Sequence, residues 1–452
     1  MLEQPHFGRR LKRLRLERGM SQAGLVGEGL STGYLSRLES GERPPTERAV
    51  AYLARRLGVD ASALTGPSDG RSLTAVLAAV TSAPPGTDDT AVLSRAVEED
   101  AGDDPAARWQ ALWLLSRAAD RDGDRERERV RLLELVELSD LLAAAELRTR
   151  SRVRYARCTR ALGDLRAAEP AAVEALSVAR AEELSVADTA AAVMVLIDIE
   201  TELGRLEAAA QHVDELERDL LPGATPALAA EALWTAAMVS DRQGDHAAAR
   251  IRLETALELL RGEDDLLRGE EDLLLWTRLR AAATAAALQM SPPHVAAADR
   301  WLSEAAGVLG LIGTPPQVQE LRALQAHLAF HQGRLDDARG LSHALLAEDD
   351  LLLSYRDRVR LSVLDGRLTI LAGRVDEGIA VLEQLGRQAT ESGNLDLAAH
   401  VWQSLATTLA GLRSRRAPAG TPAPGHSGGS RRSGGEGDDG EAAGQREPSF
   451  RR

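Results

Sequence analysis

The chain has 452 residues, 44% hydrophobic but only 3% aromatic, with one cysteine and a formal net charge of −14. Such a length suggests two or three domains, and an Ala- and Leu-rich composition poor in strand formers points to a mostly helical protein. The lone Cys158 excludes an internal disulfide; no segment reaches the ~18 apolar residues of a membrane span, and the first residues lack a signal-type apolar run. The expectation is a cytoplasmic protein that makes no membrane contact.

Charge is distributed unevenly. Residues 1–66 carry 11 Lys+Arg against 7 Asp+Glu, and the remainder is net −18. A basic head on an acidic body assigns any contact with a polyanion to the head. Within it, Phe7, Leu11, Leu14 and Arg18 fall along one side of an amphipathic helix, with Leu16 near its seam and Gly19 at its end. Ser21 is placed to cap a short helix, "QAGLVGE", and Ser31 to cap "TGYLSRLES", in which Leu35 and Leu38 are spaced to face the core. Thr46 opens "ERAVAYLARRLG", and "ASALTG" reads as a short fifth helix.

The glycine-rich "GEGLSTG" at 27–33 admits three readings. A nucleophile elbow needs a preceding strand and a His/acid pair, and neither is placed for it. A phosphate loop also needs a preceding strand, and no G-x-x-x-x-G-K-[ST] is present. A turn between two steeply packed short helices fits the flanks. The stretch "SQAGLVGEGLSTGYLSRLESGERPP" resembles the Cro/C1 (Xre-type) helix-turn-helix family, with Ser21-Gln22 opening the second helix, Tyr34-Leu35-Ser36 in the third, then Leu38-Glu39-Ser40-Gly41 and the proline pair. The likeness covers residues 6–65. The family pattern has one more residue between Ser21 and Ser31, which loosens the placement of Gln22.

That resemblance implies a recognition helix in the major groove of double-stranded DNA, with its early residues at base edges. Thr32 and Gly33 are small, and Arg37, one turn on, suits a bidentate contact to guanine. Gln22 and Arg43 are expected on the phosphate backbone, and Arg15 with Glu39 is expected to join the first helix to the third.

Residues 67–105 read as a linker region; within it, the Gly and Pro density of "GPSDGRS" and "TSAPPGTDDT" marks 66–90, with room for one small helix between them. Beyond it, turns at Gly123, Gly163, Gly204, Gly244, Gly333 and Gly373 are spaced by 40, 41, 40, 89 and 40 residues, the long gap being split by a divergent turn near 290–294. A fixed period of this length means an α-solenoid of helical hairpins. Small residues recur five after the glycine (Ala168, Ala209, Ala249, Ala338, Gly378) and seven before it (Ala156, Ala237, Ala326, Gly366), with Ile197 breaking the rule. The spacing resembles the tetratricopeptide repeat over roughly 106–412. That arrangement implies a concave groove lined by the first helix of each hairpin: Trp113 and Arg117, Arg157 and Arg160, Asp198, Trp234, Met238 and Asp241, His327 and Phe330, and Arg367. Residues 413–452, rich in Gly, Pro and Arg, cannot bury a core and should be disordered.

The expected fold class is therefore all-α, a five-helix helix-turn-helix head (1–66) followed by tetratricopeptide-like hairpins. The expected function is a sequence-specific transcriptional regulator acting as a homodimer on a DNA operator, its body sensing a peptide, small-molecule or protein effector. A protein-interaction scaffold with secondary DNA binding is the alternative. No catalytic constellation, metal site or cofactor is expected. His327 and His331 are spaced i, i+4 but lack an H-E-x-x-H acid, and the acidic stretch 262–276 reads as a solvated helix face or a docking surface for a basic partner.

Overall fold

The computed structural model describes residues 6–27, 30–61, 64, 72–84, 87–100, 104–260, 270–290 and 292–416. Every regular element among these is helical. The head comprises α1 (His6–Glu17), α2 (Gln22–Leu25), α3 (Thr32–Glu39) and α4 (Glu47–Leu57). Their starts follow from the expected caps: Ser21, Ser31 and Thr46 accept from the backbone N–H of Gly24, Tyr34 and Ala49. Phe7, Leu11, Leu25, Leu35, Leu38, Val50, Leu53, Leu57 and Leu64 form one small core. Leu16 lies outside it, 58% exposed, on the solvent side of α1 rather than near its seam. The fifth helix expected at "ASALTG" falls largely outside the described residues.

The described residues of 67–105 form two helices, one inside the 66–90 stretch where the sequence allowed one and a second starting at its end. These are α5 (Leu73–Thr81) and α6 (Thr90–Glu99). Leu73, Val76, Leu77, Leu93 and Val97 are buried with Trp109, Leu112 and Leu115 in the core of the first hairpin. The Gly/Pro punctuation marks the ends of these helices, while their apolar faces bind them to the body.

The body runs as seven hairpins among the described residues: α7 (Pro105–Asp122) with α8 (Arg125–Leu142), α9 (Ala145–Ala161) with α10 (Leu165–Ala181), α11 (Val186–Glu202) with α12 (Leu206–Glu215), α13 (Pro226–Arg242) with α14 (His246–Leu259), α15 (Glu270–Gln289) with α16 (Val295–Ile312), α17 (Pro315–His331) with α18 (Leu335–Leu346), and α19 (Tyr355–Leu371) with α20 (Val375–Glu391). A closing helix, α21, spans Leu395–Arg416. The tail beyond it, and residues 262–269 of the acidic stretch, lie outside the described residues.

The Gly-Asp and Gly-Arg dipeptides make one device. Each turn glycine has positive φ, from 77° at Gly204 to 95° at Gly373, and the next residue's N–H returns to a carbonyl five residues back, as in Asp124 to Ala119 at 2.9 Å. This closes the first helix. Where that next residue is aspartate, as at Asp124, Asp164 and Asp245, its carboxylate caps the second helix. The small positions are the crossing points. Ala156, Ala168, Ala209, Ala237, Ala326 and Ala338 have no exposed surface, and a Cβ on Gly378 would stand 2.6 Å from the Gly366 carbonyl oxygen.

Later hairpins also reach earlier ones. A side chain on Gly123 would meet Pro316 at 2.8 Å and Leu352 at 3.0 Å, one on Gly163 would meet Tyr355 at 2.6 Å, and one on Gly204 would meet Leu395 at 3.4 Å. The turns of the first three hairpins are thus covered by the segments that open α17, α19 and α21.

Candidate DNA-binding face and effector cavity

In the head, α3 divides by face. Leu35 and Leu38 are fully buried, whereas Thr32, Gly33, Ser36, Arg37 and Ser40 point to solvent. The helix is fixed from behind by a buried clamp. Arg15 Nε and Nη2 donate to Glu39 Oε1 and Oε2 at 2.7 and 2.9 Å, and Arg15 Nη1 donates to the Met20 carbonyl at 2.8 Å. A two-pronged Arg–carboxylate pair fixes orientation as well as distance, and the bond to Glu39 raises the Arg15 pKa further. The Arg15–Glu39 connection expected from sequence is present.

Gln22 stands at the start of α2, where its amide donates to Glu39 Oε2 at 2.8 Å and completes the clamp. Arg37 is exposed and folds back along α3, with Nε donating to the Gly33 carbonyl at 3.2 Å. Arg43 lies with its guanidinium 5.0 Å from the centre of the Tyr34 ring. Ser36 and Ser40 share the outward face with Thr32, Gly33 and Arg37; i, i+4 spacing from Thr32 and Ser36 was the signal that would have found them.

In the body, the expected groove residues separate into four groups. Asp241, His327 and Arg367 line one cavity of about 810 Å³. Arg157 lines a second, of about 300 Å³, with Trp113, Arg117 and Arg154. Its charge is disfavoured by burial, despite the attraction of Glu231. Arg160 and Asp198 are ion-paired at 3.2 Å. Trp234, Met238 and Phe330 are half-buried against neighbouring helices, with Trp234 and Met238 in one core and Phe330 in another. Arg367 stands 4.4 Å above the Phe330 ring.

The Arg160 pair belongs to a network that ties early hairpins to late ones. Arg160 also meets Glu202 at 3.1 Å. Glu202 accepts from Asn394 at 3.3 Å and pairs with Arg356 at 3.4 Å. Arg356 continues to Asp396, which meets Arg242 at 2.6 Å, and Arg242 meets Asp241 at 2.8 Å. Burial opposes the Arg160 and Arg356 charges, but their carboxylate partners hold both guanidiniums above the ordinary arginine range. Asp198 moves the other way: burial raises its pKa despite Arg160.

The larger cavity has polar residues that the groove assignment missed: Glu320, Asp357, Arg360, Asp396 and His400. Burial and the nearby Asp357 raise Glu320 to about 7. Burial and the surrounding cations push His327 and His400 down to about 3. Asp396 and His400 sit on α21, which follows the turn at Gly393. That turn comes half a period after Gly373, which was the available signal for one more groove-lining helix. No group of three or more His, Cys, Asp or Glu that could hold a metal occurs among the described residues.

Residues 6–65 are thus a helix-turn-helix domain, set ahead of an α-solenoid of tetratricopeptide-like hairpins. The family described as "Helix-turn-helix domain" matches these same residues, 6–65. Among solved structures, the chain is similar to Bacillus thuringiensis PlcR in complex with the peptide PapR7 and DNA, at 14% identity and a TM-score of 0.37, covering 72% of this chain and 98% of that one. A Rap protein complexed with competence and sporulation factor is 11% identical with a TM-score of 0.47, covering 91% and 99%. The Streptococcus dysgalactiae SHP pheromone receptor Rgg2 is 14% identical with a TM-score of 0.22, covering 79% and 99%. A search of curated proteins gave no match. No described helix is long and apolar enough to cross a membrane.

Proposed function

We propose that the protein is a DNA-binding transcriptional regulator whose solenoid senses an effector, a peptide, small molecule or protein. The observation that carries this reading is the outward face of α3. Thr32 and Gly33 in its first turn and Ser36 and Arg37 one turn on face solvent, while the buried Arg15–Glu39–Gln22 clamp holds the helix at a fixed angle to α1. A recognition helix works in this way, with early residues at base edges and a rigid backing.

Arg37 is assigned to base reading, since only its weak bond to Gly33 must be given up for a bidentate contact. Arg43 is assigned to phosphate, a contact that sets register without reading sequence. Gln22 acts through Glu39 as well as through any phosphate it reaches. One recognition helix covers a half-site, so the working form is a homodimer on half-sites ~34 Å apart. The 810 Å³ cavity is the sensor, at a size typical of ligand sites.

The test is enrichment of genomic fragments by the purified chain, followed by titration on the best fragment. A few promoters should be enriched, and affinity should fall steeply from 50 to 200 mM salt as counterions are released. Uniform or absent binding would instead favour a scaffold.

A further inference from the structure

The larger cavity contains a buried guanidinium to which no carboxylate is hydrogen-bonded. Asp357, Arg360, Val363, Leu364 and Arg367 line it from α19. The carboxylates whose fields reach Arg360, Asp357 and Asp396, hydrogen-bond to other groups. Asp357 accepts from the Ser354 hydroxyl at 2.5 Å, and Asp396 is held by Arg242 and Arg356. Arg360 donates to the neutral Gln289 Oε1 at 3.1 Å, and its Nε is shut from solvent with no acceptor. Gln289 is itself shared with Arg242, at 3.4 Å. Two helical turns on, Arg367 donates to the Thr408 hydroxyl at 3.1 Å and caps the Phe330 ring. His327, His331 and His400 complete this end of the cavity. Burial comes first among the causes that hold all three imidazoles below their ordinary range, so they add donors without charge. Beside them the wall is apolar, with Leu288, Leu324, Val363 and Leu364.

A guanidinium kept in such surroundings without a carboxylate is costly, and a bound anion would repay that cost. A planar carboxylate matches the guanidinium fork. Asp357 and Asp396 lie near enough to disfavour a dianion such as phosphate, and the apolar wall suits a hydrocarbon chain. Building on the sensor reading, we infer that this end of the cavity is the site of an amphipathic organic acid, its carboxylate on Arg360 within the field of Arg367, its apolar part along Leu324, Val363 and Leu364. Two sources offer that chemistry: a free medium-chain acid, or the C-terminal carboxyl of a short apolar peptide.

The experiment uses the full chain without DNA. Calorimetric titration compares octanoate with octanamide, and acetyl-Leu-Leu-Leu acid with its amide. At least one acid should bind at least 10-fold more tightly than its amide, and the preferred acid identifies the source. Arg360→Gln should bring that acid to the level of its amide without lowering the melting temperature of the unliganded chain, since it removes a buried guanidinium that no carboxylate contacts. Arg360→Lys should keep part of the preference, and Arg367→Gln should weaken acid binding about 3- to 10-fold. Equal binding of acids and amides, binding by none of the four, or an R360Q chain that melts earlier without ligand would each overturn the assignment; the last would mean that the protein already balances this charge. Adding the operator fragment separates this outcome from the broader reading. An acid that binds as described but leaves operator affinity unchanged would keep the site and remove the sensor function, whereas failure of all four probes leaves DNA binding by the head untouched.

Discussion

Two glycines in the head should respond to the same substitution with opposite signs. Gly8 lies in the first turn of α1 and Gly33 in the first turn of α3, where alanine is favoured over glycine by at most the ~1 kcal/mol of a helix interior. A Cβ at Gly33 meets nothing within 4 Å. A Cβ at Gly8 would lie 2.0 Å from the Leu38 carbonyl oxygen and 3.0 Å from that of Glu39, against an ordinary contact that begins at 3.4 Å. The obstacle is backbone, so rotamer adjustment cannot clear it; α1 and α3 must separate, which strains the Arg15–Glu39 clamp. Overpacking of this kind costs typically ~1–3 kcal/mol or more. Gly8→Ala should therefore destabilise the head by a net ~1–2 kcal/mol, and Gly33→Ala should stabilise it by up to ~1 kcal/mol. In a domain of this size 1 kcal/mol moves the melting temperature by roughly 4–8 °C. Residues 1–66 have their own hydrophobic core, and circular dichroism melts of that fragment provide the assay. An alanine at 8 that melts at or above wild type would refute the close approach of α1 to α3. The same two variants bear on recognition: Gly33→Ala should perturb operator binding despite its added stability, because the new methyl stands on the outward face.

Further expectations concern the head, the network and the cavity. Arg37→Ala should cost ~1–3 kcal/mol on the operator and little on random DNA, whereas Arg43→Ala should weaken both about equally in gel-shift titrations. Ser31→Ala removes the cap on Tyr34 N–H, 3.1 Å away, and should destabilise the head by ~1 kcal/mol in the same melts; an esterase activity lost in this variant would revive the nucleophile reading. Glu202→Ala removes the acceptor shared by Arg160, Arg356 and Asn394, while Asp198 and Asp396 still pair the two arginines, and should destabilise the body by ~1–3 kcal/mol in urea titrations followed by tryptophan fluorescence. The pH dependence follows from the cavity. His327 and His400 sit near 3 when folded, chiefly through burial and Arg360, so the unfolded chain takes up protons first and their contribution is lost as pH falls from about 7 toward 3. Glu320, raised to about 7 by burial and Asp357, acts oppositely and favours the folded state as pH falls from 7 to about 4.5. Melts at pH 7.5 and 5.5 should show a loss on acidification in the wild type that shrinks or reverses in a His327→Gln/His400→Gln variant.

Local signals in the sequence were legible where the physics is local. A serine before a short apolar helix caps it whatever surrounds it, so Ser21, Ser31 and Thr46 could be placed from spacing alone. The period of the glycine turns likewise reports a repeated backbone conformation, which a single residue enforces. The face of α3 was readable because Leu35 and Leu38 fix its inward side. What remained hidden depends on contacts distant in sequence. Gln22 bonds to a carboxylate 17 residues away, and nothing local to α2 announces it. The cavity escaped for the same reason. Arg160 and Asp198 have the spacing of groove residues, yet they are consumed in a network that runs through Glu202 on α11 to α13, α19 and α21. Arg360, on the same side of α19 as Arg367, became visible only when Asp357 and Asp396 were found already engaged. The linker region at 67–105 misled because Gly and Pro density reports where helices stop, not whether the segments between them have a partner to pack on.

The covering of the first three hairpin turns by α17, α19 and α21 changes how the body should come apart. An open array of repeats contacts only its neighbours, so terminal units fray first and stability grows with length. Here the first hairpin abuts the segment that opens α17, and Glu202 joins α9 to α19. Fraying from the N-terminal hairpin would expose Pro316 and Leu352 and break contacts more than 190 residues away in the chain. The array is therefore expected to melt as one cooperative unit, with coincident transitions from Trp113 near its beginning and Trp402 near its end.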